Sequence, residues 1–356
     1  MVLMEMKTTS QFWAGKRVLL TGHTGFKGAW LALWLQRLGA HVTGIALDPA
    51  TTPNLFSLTD IDKTIESYFC DIRDSEKLKG LIQQSQPDIL FHLAAQALVR
   101  ESYANPVATF SSNVMGTAHT LDALRGLNTV KVAVMITTDK VYQNRERHQA
   151  YCETDTLGGH DPYSASKAAS EIVINSYRDA FLEKQGIAIA SARAGNVIGG
   201  GDWSADRLIP DIIQSWQNSQ VVHIRRPNAV RPWQHVLEPL SGYLTLAQRL
   251  WSSPDLAGAY NLGPETSEAA TVKEVIELAR PLFPHGQVDY GDGTAGPHEA
   301  GLLTLDIAKA RTQLGVHPRW NLKESVNRTM SWYQNQHQGQ DARHLCEQDI
   351  KAFESH

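Results

Sequence analysis

The sequence predicts an α/β protein: a doubly wound parallel sheet joined to a smaller, mixed α/β domain in the C-terminal part. Three observations predict it. Short apolar runs of strand length alternate with stretches of helix length through the first half, as expected of parallel strands joined by crossover helices. A glycine-rich turn links the first apolar run to the first long helix. Beyond about Gly195, Gly, Pro and Trp punctuate shorter elements and the alternation stops.

The elements follow in order. Arg17-Val18-Leu19-Leu20-Thr21 reads as a buried strand, and the helix after the turn runs to Leu38, with Gly39 in the C′ position that glycine favours. Further strands are expected at His41–Leu47, Ile65–Cys70, Ile89–Leu93, Val130–Ile136 and Ile187–Ala192, with helices such as Ser75–Ser85 and Thr109–Leu124 between them. The first domain is expected over 14–195, joined by an amphipathic helix within about 231–252. A discontinuous second domain spans 196–330, and 331–356 is expected as a polar, loosely held tail.

Composition narrows the function. At 356 residues the chain suits about two domains. A net charge of −4 leaves no basic field for nucleic acid or an acidic membrane, so any phosphate site must be local. Cys70, Cys152 and Cys346 are odd in number and widely spaced, and no Cys/His cluster has zinc-ligand spacing. A reduced cytoplasmic protein without a metal is therefore expected. MVLMEMKTTSQ lacks the apolar stretch of a secretory leader, and Ala29–Leu35 falls far short of the roughly 20 apolar residues of a membrane helix.

Thr21-Gly22-His23-Thr24-Gly25-Phe26-Lys27-Gly28 spaces its glycines GxxGxxG between strand and helix. Gly22 permits the tight turn, Gly25 lets the backbone approach a pyrophosphate, and Gly28 allows close helix–strand packing. The helix start offers free N–H groups to phosphate. Asp48 lies twenty residues past Gly28, where a carboxylate binds ribose hydroxyls and repels a 2′-phosphate. Asp71, after the third strand, suits either an adenine contact or a helix cap. Downstream, Asp161-Pro162-Tyr163-Ser164-Ala165-Ser166-Lys167 places a Tyr and a Lys one turn apart behind a capping Asp and a Pro suited to the first helical position. The lysine's charge is expected to lower the phenol from about 10.

With GxxGxxG, His92-Leu93-Ala94-Ala95-Gln96 and YxxxK in this order, residues 14–325 resemble the extended short-chain dehydrogenase/reductases. The resemblance implies a Rossmann domain, a nucleotide-sugar domain and bound NAD. It also implies cofactor contacts from Gly22, His23, Thr24, Gly25, Phe26, Gly28, Asp48, Asp71, Ile72, Leu93, Ala94, Ala95, Tyr163 and Lys167. Within that family Thr138-Asp139-Lys140 before Val141-Tyr142 resembles the branch of 4,6-dehydratases acting on CDP-glucose, where Lys replaces the Glu of its relatives. Arg193–Trp203 and Arg231–Val236 resemble that branch too, whereas Gly301 departs from it, a bulkier residue being expected there.

What the branch implies is removal of water across C5 and C6 after oxidation at C4. Tyr163 takes the 4-hydroxyl proton with Lys167 beside it, Asp139 is the acid at O6, Lys140 the base at C5, and Thr138 assists at O4. Substrate contacts are implied for Ser102, Asn196, Arg231 and Glu299, with Ser102 equally suited to a helix cap and Arg193 to supporting the fold. Trp203, Trp216 and Trp233 suit either base stacking or the second domain's core. The resemblance further implies a product that feeds deoxysugar synthesis for lipopolysaccharide O-antigen. Helices near Thr109–Leu124 and Tyr163–Phe181 match the family's dimer-forming pair, so a homodimer or homotetramer is expected. The competing expectations are a dehydratase or epimerase for another nucleotide sugar, and a non-catalytic NAD-binding sensor. A sensor would commonly have lost the Tyr, the Lys or a glycine, and all are present.

Overall fold

The computed structural model describes residues 10–293 and 301–356. Seven strands form one parallel sheet: β1 Arg17–Thr21, β2 His41–Ala46, β3 Glu66–Phe69, β4 Ile89–His92, β5 Val132–Ile136, β6 Ala188–Ala194 and β7 Gly258–Leu262. Their order is β7-β6-β5-β4-β1-β2-β3. The chain leaves β1 in one direction along the sheet and returns past it at β4, so a crevice opens at the carboxyl ends of β1 and β4.

The strands are apolar on both sides because both faces are covered. Val18 and Leu20 of β1 join one core while Leu19 joins the other; Val132, Val134 and Ile136 of β5 divide in the same way from Ala133 and Met135. Successive side chains point to opposite faces, so two cores grow from one sheet. On the first face lie α1 (Phe26–Arg37), with Trp30 and Trp34 buried, and a later helix, Leu237–Ser252, which packs against β5 and β6. On the second face lie α2 (Ser75–Ser85), α3 (Gly116–Asp122) and α4 (Pro162–Tyr177). Gly39, at φ +85°, ends the turn after α1 in the left-handed region that glycine tolerates.

Three expectations need correction. The single helix over Thr109–Leu124 is observed as Pro106–Phe110, a π-helical turn at Ser111–Met115 and then α3. The seventh strand, Gly258–Leu262, completes the sheet from a stretch placed in the second domain; five residues between turns carry too little pattern to betray a sheet edge. The C-terminal residues are no loose tail. Two helices, Leu322–His337 and Ala342–Glu354, pack on the first core, burying Val326, Met330, Trp332, Leu345, Cys346, Ile350 and Phe353. Phe353 meets Trp34 edge-on, and Glu354 pairs with Arg37 at 2.9 Å. Their apolar residues fall at helical spacing among many polar ones, which disguises the buried stripe.

Between Gly195 and the C-terminal helices the strands are short. Val197–Ile198 pairs with Gln234–His235, Val230–Arg231 with Ala270–Thr271, and Val221–Ile224 with Gln287–Tyr290. This layer stands over the carboxyl edge of the sheet.

Candidate active site

The glycine turn is built for close approach. Gly22 sits at φ +79°, and a Cβ there would lie 2.7 Å from the Ala94 amide nitrogen. At Gly28 a Cβ would lie 2.0 Å from the Gly22 carbonyl oxygen, so α1 could not settle on the turn. Gly25 has only that carbonyl nearby, at 3.4 Å, and as N-cap it brings no side chain to the first amides of α1. Those amides remain for an anion. Thr21 Oγ1 accepts from the Ala94 amide at 3.2 Å, tying β1 to the Leu93-Ala94-Ala95 segment, and Thr24 donates to the Leu47 carbonyl at 2.9 Å. Asp48 is exposed just past β2. Phe26 packs toward Gly199. These residues fit a dinucleotide laid across the crevice.

Not every expected contact points into the crevice. The His23 ring is fully buried over Gly44, shares a 2.7 Å hydrogen bond with Ser67 and is pulled down to about 4 by burial. Only its backbone is left for a ligand. Asp71 forms an ion pair with Arg73 that holds its carboxyl below the ordinary range, while Asp74, not Asp71, caps α2. Ile72 lies buried beneath Gly116. Ser102 is 0% exposed; its hydroxyl donates to the Val99 carbonyl at 2.6 Å and accepts the Tyr163 amide at 3.1 Å. It therefore holds Tyr163 in place from behind; it lies inside the helix Val99–Ala104 and does not take the N-cap position of either helix, α4 being capped by Asp161. Glu299 lies outside the described residues.

A cavity of about 350 Å³ opens at the carboxyl ends of the strands, lined by Thr138, Asp139, Lys140, Tyr163 and Lys167 together. Strand β5 ends at Ile136, and Thr138 caps the tight turn Asp139–Val141, accepting the Lys140 amide at 3.4 Å. Helix α4 starts beside it: Asp161 accepts the Ser164 amide at 2.9 Å and Pro162 takes the first position, as the sequence predicts. The Thr138 hydroxyl beside the Tyr163 phenol favours its ionised form, and the Lys167 ammonium donates to the Ile136 carbonyl at 2.9 Å.

The electrostatics are those of a dry site. Asp139 is 2% exposed; Oδ1 accepts from Thr138 at 3.0 Å, and Oδ2 has no hydrogen-bond partner among the described residues. Burial raises its carboxyl despite the nearby Lys140. Burial also lowers Lys167 to about 8 and pushes Tyr163 up to about 12. The Tyr163 value runs opposite to the expected lowering. Desolvation is the largest influence on the phenol, while the lysine's ammonium is directed at the Ile136 carbonyl. Gly195 faces this group: a Cβ there would come within 2.6 Å of Pro232 and 3.1 Å of Asp139 Oδ2.

The cavity is rich in cations. Asn196 and Arg231 line it as expected, and so do Lys27, Arg207, Arg225 and Arg226, which sequence inspection missed. Arg207 reaches Asp202 at 3.4 Å, and Arg100 pairs with Asp206 across the mouth. The adjacent Arg225 and Arg226 after a strand were a signal that could have been read. Lys27, lowered to about 7 by desolvation, was hidden inside the glycine motif. Asn113, in the π-helical turn, was also missed; it bonds the Gln96 backbone and Ser166 of α4. Of the three tryptophans, Trp233 borders the cavity but is 5% exposed and donates to the Ala270 carbonyl, while Trp203 and Trp216 pack among other aromatics. Arg193 is buried in an ion pair with Glu171, the fold-supporting alternative.

A parallel sheet with a glycine cradle, a Tyr/Lys pair and a buried acid beside a second lysine defines a nucleotide-sugar dehydratase class of site. Residues 19–329 match the family described as GDP-mannose 4,6 dehydratase, and the chain belongs to that family. It is 47% identical over 350 residues to the CDP-glucose 4,6-dehydratase of Salmonella typhimurium, covering 97% of this chain and 98% of that protein. It is 26% identical over 335 residues to the dTDP-glucose 4,6-dehydratase of Xanthomonas campestris, covering 88% and 92%. Among solved structures, the dTDP-glucose 4,6-dehydratase of Bacillus anthracis in complex with NAD superposes with a TM-score of 0.75 at 20% identity, covering 90% of this chain and 97% of that one. The epimerase Mth375 of Methanothermobacter thermautotrophicus superposes at 0.79 with 25% identity, covering 95% and 98%. Among the described residues no helix is long and apolar enough to cross a membrane, and no cluster of His, Cys, Asp and Glu has the form of a metal site.

Proposed function

We propose that the protein is a hydro-lyase converting CDP-D-glucose to CDP-4-dehydro-6-deoxy-D-glucose. The observation that carries this reading is the Asp139–Lys140 pair: an acid whose carboxyl is raised by burial and an amine, both lining the Tyr163 cavity. The extensive identity to a CDP-glucose 4,6-dehydratase supports the choice of nucleotide.

The glycine turn and Asp48 would hold NAD, which when bound would supply the hydride acceptor and donor chemistry. Tyr163 takes the 4-hydroxyl proton, with Thr138 beside the phenol and Lys167 keeping positive charge nearby. The 4-ketone acidifies H5, which Lys140 removes. Asp139 protonates O6 as water leaves, and Lys140 returns a proton to C5. Water must be excluded while the unsaturated sugar exists, and the burial of Asp139 and Lys167 supports that. Arg231 and Asn196, with Arg207, Arg225 and Arg226, supply the charge for the pyrophosphate.

In this reading 14–195 and 231–252, with strand 258–262 added, carry the cofactor, and the rest of 196–330 carries the nucleotide sugar. We place the protein in the cytoplasm, in deoxysugar synthesis for lipopolysaccharide, as a homodimer or a dimer of dimers. Support for the dimer comes from apolar side chains left in water on the two expected helical segments: Met115 is 49% exposed, Ile172 61% and Phe181 42%.

The test is a screen of CDP-, dTDP-, UDP- and GDP-glucose with NAD, reading the alkali absorbance of a 4-keto-6-deoxy product. CDP-glucose should be turned over best. Preference for another nucleotide would overturn the base assignment, and no 4-keto product from any sugar would overturn the dehydratase reading.

A further inference from the structure

Behind the catalytic strand end lies a buried charged cluster that none of these steps uses. The Glu171 carboxylate and Arg193 guanidinium meet at 2.8 Å, with side chains 0% and 3% exposed. Glu171 follows Tyr163 and Lys167 at successive turns along one face of α4. Two of the three are hydrogen-bonded to the end of β5: Lys167 donates to the Ile136 carbonyl at 2.9 Å, and Thr137 Oγ1 donates to Glu171 Oε1 at 2.5 Å. Tyr163 lies beside Thr138, the next residue. The other carboxylate oxygen accepts from Ser191 and Arg193 of β6, both at 2.8 Å. Arg193 also donates to the Tyr142 hydroxyl at 2.9 Å, which in turn donates to Asn261 of β7 at 2.6 Å. One carboxylate thus gathers the helix and the ends of three neighbouring strands.

Resting on the dehydratase reading above, we propose that Glu171 is a positioning residue for the reaction: through Thr137 it holds the strand end that presents Thr138, Asp139 and Lys140, and it provides the buried anion one turn from Lys167. A carboxylate wholly removed from water is costly unless its oxygens are filled, and Arg193 with Ser191 would fill one of them. The second oxygen is spent on the residue immediately before the catalytic triplet. Two cations, Arg193 and Lys167, share this one anion. The other titratable groups that face Lys167 are His92 from β4, held neutral at about 3, Lys27 from α1 and Tyr163 on its own helix. Glu171 is the group that opposes the loss of the lysine's proton.

The experiment compares Glu171→Gln, the charge-balanced Glu171→Gln/Arg193→Met variant and Thr137→Val, which removes only the hydroxyl bonded to Glu171 and leaves the ion pair whole. Each should keep KM for CDP-glucose near the parent's while kcat falls about 10²-fold, the scale of a misplaced catalytic group. The two Glu171 variants should move the alkaline limb of the kcat profile, and Thr137→Val should not. Hydrogen exchange at amides 137–140, measured without sugar, should quicken in all three, so this arm stands even if the parent prefers a different substrate. A Thr137→Val protein with parental kcat and parental exchange at those amides would overturn the proposal. So would a folded charge-balanced variant with the parent's pH profile.

Discussion

Lys140 is the residue on which the proposed chemistry turns, because it distinguishes this triplet from an ordinary acid pair. A Lys140→Met variant should still bind CDP-glucose and oxidise C4, since Tyr163 and Lys167 remain, and then stall with H5 in place. Solvent deuterium exchange at C5 should vanish, with turnover slower by about 10²–10⁴-fold. Asp139→Asn should keep exchange and lose elimination. Exchange at the parental rate in Lys140→Met would show that another group is the base. Asp48 carries a second residue-scale prediction. It stands exposed past β2, where it would face a 2′-phosphate, so stripped protein should bind NAD more tightly than NADP. Asp48→Ala should narrow the gap; equal binding of the two cofactors by the parent would remove Asp48 from that role.

At the scale of an element, helix Leu237–Ser252 shows how burial converts sequence into pH dependence. Glu238 in its first turn is 7% exposed and accepts the Arg319 and Trp320 amides at 3.0 and 2.7 Å, joining this helix to the segment before Leu322–His337. Burial raises its carboxyl from 4.5 to about 7. The unfolded chain releases this proton near 4.5 while the folded one retains it to about 7, so across that window the folded state binds more protons and stability falls as pH rises. Above it the loss is complete, up to about 3 kcal/mol. Glu238→Gln should therefore gain melting temperature relative to the parent as pH rises from 4.5 to 7, then hold a constant lead. A difference in melting temperature that does not vary over that range would mean Glu238 titrates normally in the fold.

At the scale of the molecule, the exposed apolar side chains on the helices flanking the second core predict self-association. Met115→Glu/Ile172→Glu should sediment as a monomer with its melting transition retained, because both side chains stand in water in the single chain. A parent that is monomeric at micromolar concentration, or a double variant that still dimerises, would place any interface elsewhere. Most of the architecture in the first half was legible because each strand is a compact apolar run between turn signals: Arg17–Thr21 and Ser75–Ser85 appear with the expected bounds. The seventh strand and the C-terminal helices were not, because their apolar residues acquire meaning only against a sheet already formed. The site was legible where chemistry is local, as in the glycine turn, Tyr163–Lys167 and Thr138-Asp139-Lys140. It was opaque at His23 and Ser102, whose side chains turn into the protein, and at Lys27, Arg207 and Asn113.

By itself the sequence determined the first six strands in chain order, the glycine cradle and the cap that starts α4, since each depends on backbone conformation and on neighbours a few residues away. Tertiary structure alone decided the ionisation of those groups. Tyr163 is raised because burial outweighs its neighbours, Asp139 is raised by the same desolvation, and Lys167 keeps company with Glu171 one turn along. Desolvation and charge coupling act through space, between the end of β5, helix α4 and the layer beyond Gly195, and these distances exist only once the chain is folded.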